Sequence, residues 1–361
     1  MSDISTMQLT RLPKPCIIET SDRILITGAA GFVGSRVFDR LLELGFSNIA
    51  CFVRSASKSP VVEAIARAHS PDAQVDVVIG NLLSPKDCEE ACRGAKVIFH
   101  LAASTGEKSH PDAFLNSVVT TRNLLEASVQ HASLRRIVLV SSFAVYTNRQ
   151  KSRILDESCP IELHPERRDA YCYSKVRQEE IVQELARKYG FGAVLMRPGS
   201  VYGPAQYGIT GRIGIGTFGL FLHLGGSNRI PFTYVDNCAS AIALAGLVTG
   251  IDGEVFNVVD DDLPSSRQFL RSYKKHVRQF KSLYIPHAVS YLMCLLWEKY
   301  SQWSMGQLPP VFTVATWYSL WRKAQYSNSK LKQRVGWYPQ ICTAIALQQF
   351  FSSCTRDGQN A

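Results

Sequence analysis

Residues 24–34 read Ile24-Leu25-Ile26-Thr27-Gly28-Ala29-Ala30-Gly31-Phe32-Val33-Gly34, and this stretch decides the fold. Its apolar start predicts a buried strand, and residues 35–45 predict a helix that ends at a glycine. Gly28 permits a tight turn, Gly31 lets the backbone approach a diphosphate, and Gly34 lets helix and strand pack closely. The helix start also presents unpaired N–H groups to phosphates. The stretch therefore predicts the first unit of a dinucleotide-binding fold.

Strands alternate with helices through the first 200 residues. Further strands are predicted at 48–54, 73–79, 96–103, 137–142 and 194–198. This alternation favours an α/β fold, a Rossmann-type doubly wound parallel sheet. We expect it to occupy residues 23–200, with 233–260 returning to it. His100 lies inside an apolar strand, and we interpret it as a packed, hydrogen-bonded side chain rather than a catalytic base.

The composition of the 361 residues is that of a globular protein with a formal net charge of +10. The basic residues are scattered without interleaved aromatics, so we expect no nucleic-acid partner. The ten cysteines lack the spacing of a metal site, and reduced thiols suit a cytoplasmic protein. Residues 1–22 contain no secretory signal and are expected to form a flexible arm.

The end of the second predicted strand bears on the choice of cofactor. Enzymes that prefer NAD usually place an acidic residue there for the ribose hydroxyls. This chain has Val53 and Arg54 instead, and Lys58 follows closely. Because a guanidinium suits a phosphate, NADP(H) is favoured and NAD(H) is the alternative.

A second motif carries the chemistry. Tyr171 and Lys175 are four residues apart and therefore lie on one face of a predicted helix. A lysine ammonium beside a phenol lowers its pKa, which makes the tyrosine usable as a general acid or base. Ser142, at the end of a strand, is expected to hold the substrate oxygen, and Ser141 is the less favoured candidate.

In order and combination, the motifs resemble those of the extended short-chain dehydrogenases/reductases, which include nucleotide-sugar epimerases and 3β-hydroxysteroid dehydrogenases. The matching segments span most of residues 24–260 and are Thr27–Gly34, His100–Ala103, Ser141–Tyr146, Tyr171–Lys175 and Arg197–Pro204.

The resemblance implies a role for each matching residue. Tyr171 would be the acid/base, Lys175 would bind the nicotinamide ribose, and Ser142 would orient the substrate, with Asn116 near the lysine. The implied cofactor contacts are Gly28, Gly31, Phe32, Val33, Gly34, Arg54, Asn81, Leu82, Leu101, Ala102, Ala103, Lys175, Arg197 and Pro198. No metal site is implied.

Three departures from the family pattern limit what carries over. Asn81 stands where an aspartate usually precedes the leucine at the adenine. Thr147 follows Tyr146 where the sugar enzymes usually have glycine, which weakens the sugar assignment. Phe143 and Ala144 follow Ser142 where the dehydratases carry acidic residues, so a dehydratase is disfavoured.

Residues 201–232 and 261–361 are expected to form a smaller, discontinuous substrate-binding part. Glycine-rich residues 207–226 predict either a mobile segment with a short helix over 217–224 or a surface insertion. Asp236 or Asn237 is expected to cap the next helix. Residues 282–322 are apolar and aromatic, and we weigh three interpretations: core of the smaller part, lid over an apolar substrate, or a peripheral membrane surface.

The sequence thus predicts an NAD(P)-dependent enzyme that moves a hydride at a secondary alcohol or ketone carbon. A nucleotide sugar is the favoured substrate, and an apolar alcohol of the 3β-hydroxysteroid type is the alternative. A regulator that senses NADP(H) without turnover is a third hypothesis, although such relatives typically lack the tyrosine and lysine. The sequence leaves the oligomeric state undetermined, and a homodimer is one of the alternatives.

Overall fold

The computed structural model describes residues 13, 15–69, 75–103, 106, 109–131, 133–147, 154–206, 208–217, 219–304 and 312–357. The strands in chain order are β1 (Ile24–Thr27), β2 (Ile49–Val53), β3 (Asp76–Ile79), β4 (Val97–His100), β5 (Arg136–Val140), β6 (Ile154–Leu155), β7 (Gly192–Pro198), β8 (Ser200–Tyr202), β9 (Gly214–Thr217), β10 (Leu220–His223), β11 (Phe232–Tyr234), β12 (Val255–Val258), β13 (Ser282–Tyr284) and β14 (Gln325–Tyr326).

The helices are α1 (Phe32–Glu43), α2 (Ser59–His69), α3 (Pro85–Cys92), α4 (His110–Ala113), α5 (Thr120–His131), α6 (Ala170–Tyr189), α7 (Val235–Leu247), α8 (Ser266–His276), α9 (His287–Trp303), α10 (Val314–Leu320), α11 (Ser329–Val335) and α12 (Thr343–Asp357). A π-helical segment, Phe114–Val119, joins α4 to α5. Short 3₁₀ turns lie at Ala56–Lys58, Phe143–Val145 and Pro165–Arg167.

One seven-stranded sheet forms the body of the described residues. Its order is β12-β7-β5-β4-β1-β2-β3, and every neighbouring pair is parallel. The predicted α/β, Rossmann-type fold is confirmed. Because the strands are parallel, their carboxyl ends share one edge, and the strand order reverses between β1 and β4. A crevice at such a reversal is where this class of sheet binds ligands.

Both faces of this sheet are covered, which explains its continuous apolar strands. Ile24 and Ile26 point to the face where α1 and α7 pack, in a cluster that includes Ile242. Leu25 points to the opposite face, where it joins Leu124 and other side chains of α5 and α6. The central strands are fully buried, so the sheet holds the loops at its carboxyl edge in fixed positions.

The helix predicted over residues 217–224 is wrong. Strands β9 and β10 pair antiparallel there, with Leu222 opposite Ile215, and Gly219 in the connection has a φ of +75°. β13 extends this small sheet by pairing in parallel with β10. An apolar run this short does not distinguish strand from helix, and a glycine in the left-handed region favours the turn.

The predicted cap of helix α7 is also wrong. The helix begins at Val235, and the residue at its N-cap, Tyr234, makes no side-chain cap. Asp236 faces Arg36 at 3.4 Å. The Asn237 amide instead donates to Asp260 at 3.0 Å and accepts from the Gln340 backbone at 2.9 Å. Asn237 therefore ties α7 to the segment before α12.

The end of the predicted N-terminal arm is packed against the body. The Ile17 N–H donates to the Leu247 carbonyl at 2.9 Å, and Ile18 is buried. Cys16 forms an isolated antiparallel β-bridge with Val248 through the backbone. Residues 16–18 therefore pack against the body, which differs from the predicted flexible arm through residue 22. Residues 1–12 and 14 of that arm lie outside the described residues.

Candidate active site

A cavity of about 720 Å³ opens at the carboxyl edge of β1, β2, β3 and β4. The loop after each of these strands contributes to its wall. The lining residues are Gly28, Ala30, Gly31, Phe52, Val53, Arg54, Lys58, Gly80, Asn81, Leu82, Leu83, Asp87, Leu101, Ala102, Ala103, Asn116 and Thr120. The structure thus brings nine predicted site residues together in one place, which are Gly28, Gly31, Arg54, Asn81, Leu82, Leu101, Ala102, Ala103 and Asn116.

The glycine-rich turn shapes one wall of this cavity. Gly28 has a φ of +77°, and a Cβ there would lie 3.0 Å from the Ala102 nitrogen. A Cβ on Gly34 would lie 2.0 Å from the Gly28 carbonyl oxygen, so only glycine lets α1 start this close to β1. Gly31 is the N-cap of α1, and no side chain caps the helix. The first-turn N–H groups are therefore free to bind an anion.

Arg54 and Lys58 form the basic end of the cavity. Both side chains are exposed at its rim. Among the described residues, neither forms a salt bridge with a carboxylate. Two cations without a carboxylate partner in this part of the chain supply charge that suits a phosphate group at the rim of the cavity.

Asp87 is a wall residue that the sequence analysis missed. Its carboxylate accepts from the Asn81 N–H at 2.7 Å and from the Ser84 hydroxyl at 2.9 Å. The Asn81 hydrogen bond, followed by that of Ser84, holds the pKa of Asp87 below its ordinary value. Asp87 thus supplies a carboxylate close to Asn81, where the family pattern expects one. The signal was Ser84-Pro85-Lys86-Asp87, which has the spacing of a helix-capping box.

His100 lies beneath the cavity in a closed hydrogen-bond chain. Its Nδ1 is 2.7 Å from the Thr27 hydroxyl, and its Nε2 is 2.8 Å from the Thr121 hydroxyl. Because Thr121 donates its proton to the Ser117 carbonyl at 2.6 Å, Nε2 must be the donor to Thr121. Burial lowers the pKa of His100 to about 3. It is a neutral structural histidine, as predicted.

Asn116 lies on the π-helical segment between α4 and α5. The Thr120 hydroxyl bonds to the Asn116 and Ser117 carbonyls, both at 3.0 Å. The Gln178 amide on α6 donates to the same Ser117 carbonyl at 3.2 Å. These bonds add to the backbone hydrogen bond that the Thr120 N–H donates to the Ser117 carbonyl. The distortion keeps Asn116 at the cavity wall.

Ser142 and Tyr171 form a hydrogen bond at the carboxyl end of β5, the sheet neighbour of β4. Ser142 starts the turn after β5, where its Oγ accepts from the Ala144 N–H at 3.2 Å. Tyr171 lies in the first turn of α6, which Asp169 caps through the Cys172 N–H. Burial raises the pKa of Tyr171, and a hydrogen bond with Ser142 acts in the opposite direction. The tyrosine is therefore a protonated donor at neutral pH.

Lys175 lies one turn along α6 and is buried. Its Nζ donates to the Val140 carbonyl at 2.8 Å. The expectation that Lys175 lowers the pKa of Tyr171 is wrong for this arrangement, since the ammonium is held by that carbonyl and burial dominates the phenol. Burial lowers the pKa of Lys175 itself to about 8, with Glu179 opposing the shift.

Lys175→Met should make the fold more stable at pH 7. The folded protein loses the lysine proton near pH 8, whereas the unfolded chain keeps it to about 10.5, so the buried charge destabilises the fold below pH 8. The wild type should gain stability between these values, and the advantage of Lys175→Met should shrink there. Thermal unfolding at pH 7 and pH 10 measures both effects. Lys188→Met, an exposed change on the same helix, is the control, and an unchanged midpoint at pH 7 would contradict the account.

Arg197 is not brought to the cavity. Its guanidinium donates to both carboxylate oxygens of Glu179, at 2.9 and 2.6 Å, and both side chains are buried. It also lies 4.8 Å from the centre of the Tyr146 ring. The guanidinium thus connects α6 to β7. The expectation that Arg197 contacts the cofactor is therefore corrected. Phe32, Val33, Gly34, Lys175 and Pro198 also lie outside the cavity lining.

The sequence profile of the NAD dependent epimerase/dehydratase family matches residues 24–258, from the first strand to the last strand of the main sheet. The chain belongs to this family. The family covers NAD(P)-dependent enzymes of the epimerase and dehydrogenase type, and the fold and the glycine-rich cavity agree with that assignment.

Two curated relatives differ in reaction. The chain is 27% identical to the uncharacterized UDP-glucose epimerase YtcB of Bacillus subtilis, over 65% of this chain and 76% of that protein. It is 22% identical to the decarboxylating sterol-4-alpha-carboxylate 3-dehydrogenase of Mus musculus, over 93% of this chain and 92% of that protein. Among solved structures, the UDP-glucuronic acid 4-epimerase of Bacillus cereus, with UDP-glucuronic acid and NAD bound, superposes with a TM-score of 0.69 at 18% identity, covering 92% of this chain and 99% of that one. This last likeness shows the fold.

The cavity fits the family's dinucleotide. Only glycine is compatible with the close backbone packing at Gly28 and Gly34, and Gly31, the N-cap residue of α1, lines the cavity. The N–H groups of that first turn would hold the diphosphate. The walls near Leu82 and Asp87 would take the adenine end of the dinucleotide, and Asn116 lines the same cavity.

Proposed function

We propose that the chain is an NADP(H)-dependent oxidoreductase acting at a secondary alcohol or ketone carbon. One observation carries the proposal: Ser142 and Tyr171 are hydrogen-bonded at the carboxyl end of β5, the sheet neighbour of β4 whose loop lines the cavity, and the buried Lys175 lies one helical turn along α6. A pair of hydroxyls at one substrate oxygen, with a cation nearby, is the arrangement that carbonyl reduction and alcohol oxidation require.

The residues divide the proton chemistry between them. The bound nicotinamide supplies or accepts the hydride. In reduction, Ser142 holds the carbonyl oxygen and Tyr171 gives that oxygen its proton, which leaves a phenolate. The Ser142 hydroxyl stabilises this phenolate by donating a hydrogen bond to it. In oxidation the same steps run in reverse, and Tyr171 accepts the proton. Because burial keeps Tyr171 protonated at neutral pH, the arrangement favours its use as an acid, in the direction of reduction.

Arg54 and Lys58 support NADP(H) over NAD(H). A 2′-phosphate adds about two negative charges at the adenine ribose, where these cations stand without carboxylate partners in the described part of the chain. A hydrogen bond to a charged group contributes roughly 1.5–3 kcal/mol, which is a factor of roughly 10 to 100 in affinity.

Arg54→Asp should therefore reverse the cofactor preference. We expect the ratio of kcat/KM for NADPH over NADH to fall by about 10- to 100-fold, because the guanidinium is lost and a carboxylate repels the phosphate. Steady-state kinetics with each cofactor measure the ratio. Arg271→Asp, an equal charge change at an exposed position of helix α8, should leave the ratio unchanged. A ratio that stays constant in Arg54→Asp would refute the phosphate assignment.

An apolar alcohol or ketone is the substrate that we favour. A narrow second cavity beside Ser142 is lined by the aromatic rings of Phe143, Tyr146, Tyr318 and Tyr326. The rings of Phe143 and Tyr326 stack 5.8 Å apart. Two curated relatives that align with at least 90% of this chain are named for sterol or 3beta-hydroxysteroid dehydrogenation, in mouse and Arabidopsis thaliana. The second cavity has a volume of about 60 Å³, so these observations support an apolar group of the substrate beside Ser142.

A nucleotide sugar, which the sequence analysis favours, is the second candidate. Arg212 and Arg322 line the same second cavity, and a diphosphate suits two guanidinium groups. The name of YtcB points the same way.

A panel of substrates separates the two candidates. Oxidation of a sterol or other apolar secondary alcohol with NADP⁺, with no effect of added UDP, is the expected result. Saturable turnover or epimerisation of a UDP-sugar, with UDP protecting the protein against heat, would select the second candidate and overturn the first. A chain that binds NADPH but turns over no member of either class would favour a sensing role.

A further inference from the structure

Helix α9 carries an exposed apolar face that no described residue covers. Its members recur at helical spacing and fall within an arc about 100° wide. The docking face, as we call it, consists of Val289, Leu292, Met293, Leu296, Tyr300 and Trp303. Each is 47% exposed or more, and Trp303 is 76% exposed. This is a continuous patch rather than a scatter of single apolar residues.

The opposite side of α9 is fixed to the body. Ser290, Cys294 and Ser301 are buried, and the Trp317 indole donates to the Ser290 hydroxyl at 2.9 Å. The Glu298 carboxylate accepts from the Val314 N–H at 2.8 Å, at the start of α10. These contacts hold the helix in one rotation, so the docking face stays turned outward.

The chain segment that contains the docking face is strongly basic. Residues 263–323 contain nine lysine and arginine residues and a single carboxylate, Glu298. Lys299 borders the apolar arc, and Lys281 precedes β13, where Leu283 and Tyr284 are also exposed. Arg267 lies 5.1 Å from the centre of the Tyr284 ring. This region thus carries most of the chain's net positive charge.

We infer that the docking face binds the surface of an anionic phospholipid bilayer. An amphipathic helix with aromatic and aliphatic side chains outward and cations at its border lies in the interface of such membranes. Tyr300 and Trp303, with stacked rings 5.8 Å apart, suit the headgroup level. A second copy of the chain would bring one basic region against another, which disfavours that occupant.

The helix would lie on the bilayer rather than cross it. Its 17 residues extend about 26 Å, less than the roughly 30 Å hydrocarbon core. Among the described residues, no helix is long and apolar enough to span a membrane. The inference is independent of the substrate, because the docking face, Lys281 and Lys299 lie outside the lining of both cavities.

Co-sedimentation of the full chain with vesicles tests the inference. We expect binding to phosphatidylcholine vesicles that contain phosphatidylserine, weaker binding without it, and a loss on adding salt. Leu296→Glu with Trp303→Glu should reduce the bound fraction about tenfold or more, because two charges enter the apolar face. Lys281→Glu with Lys299→Glu should remove the dependence on phosphatidylserine. Leu163→Glu, at a residue 81% exposed elsewhere, is the matched control.

Several outcomes would overturn the inference. One is a wild type that does not sediment with phosphatidylserine vesicles, and another is a docking-face variant that binds as well as the control. A third is a dimer in sedimentation equilibrium that Leu296→Glu dissociates, with no vesicle binding, which would assign the face to a second copy. All the substituted side chains are exposed, and thermal unfolding of each variant checks that the fold is kept.

Discussion

Replacement of Tyr171 by phenylalanine is expected to lower kcat by about 10³-fold, because the substrate oxygen then has no proton donor or acceptor. The ring itself remains, so packing in the first turn of α6 should be preserved. The affinity for NADP(H) should change little, since Tyr171 lies outside the cavity lining. Steady-state kinetics on the best substrate of the panel, together with cofactor titration by fluorescence, measure both quantities.

Tyr173→Phe is the matched control for this change. Tyr173 lies two residues along α6, where its ring contacts His110 at 5.0 Å and lies 5.7 Å from the Arg177 guanidinium. Loss of its hydroxyl should leave kcat nearly unchanged. If Tyr171→Phe keeps the wild-type rate, Tyr171 is not the acid/base, and the proposed chemistry fails.

Glu179→Ala should destabilise the fold by about 3–5 kcal/mol, because it leaves the Arg197 guanidinium buried without its partner. The two side chains are 2% and 5% exposed, so water cannot replace the lost carboxylate. Burial opposes the charge on Arg197, and the two hydrogen bonds that Arg197 donates to Glu179 offset that opposition. The free energy of unfolding, from urea titration monitored by circular dichroism, measures the loss.

A double variant separates a lost ion pair from lost packing. Glu179→Leu with Arg197→Met removes both charges and keeps apolar volume, so it should recover most of the stability lost in Glu179→Ala. The ion pair links strand β7 to helix α6, on which Tyr171 lies. Its net contribution to the free energy of unfolding is that neither charge is left buried without a partner. A double variant that is no more stable than Glu179→Ala would contradict this account. It would show that the pair stabilises the fold mainly through the attraction between the two charges.

Local motifs carried most of what could be predicted. The glycine spacing from Gly28 to Gly34 follows from turn and packing geometry, and the structure places Gly28 and Gly31 at the cavity. The four-residue spacing of Tyr171 and Lys175 is a helix property, and α6 holds both on one side. The parallel sheet follows from alternating elements, and the order of its strands sets the cavity at the reversal.

Properties that depend on distant neighbours were not predictable from the sequence. Arg197 matches a family motif, but Glu179 on another element captures its guanidinium. The raised pKa of Tyr171 reflects burial by the surrounding fold, which spacing along one helix does not encode. Strands β9 and β10 depend on pairing with each other and with β13. The outward rotation of the α9 face likewise depends on Trp317 and Val314.

Deuterium transfer tests the central claim most directly, namely that the cavity and Tyr171 form one NADP(H)-dependent hydride-transfer site. The wild-type chain is incubated with NADPH carrying two deuterium atoms at C4 of the nicotinamide and with a ketone from the panel. The account predicts an alcohol that carries one deuterium on the former carbonyl carbon, detected by mass spectrometry, and none in the Tyr171→Phe sample over the same time. An alcohol formed without deuterium, or labelled equally in both samples, would contradict the account.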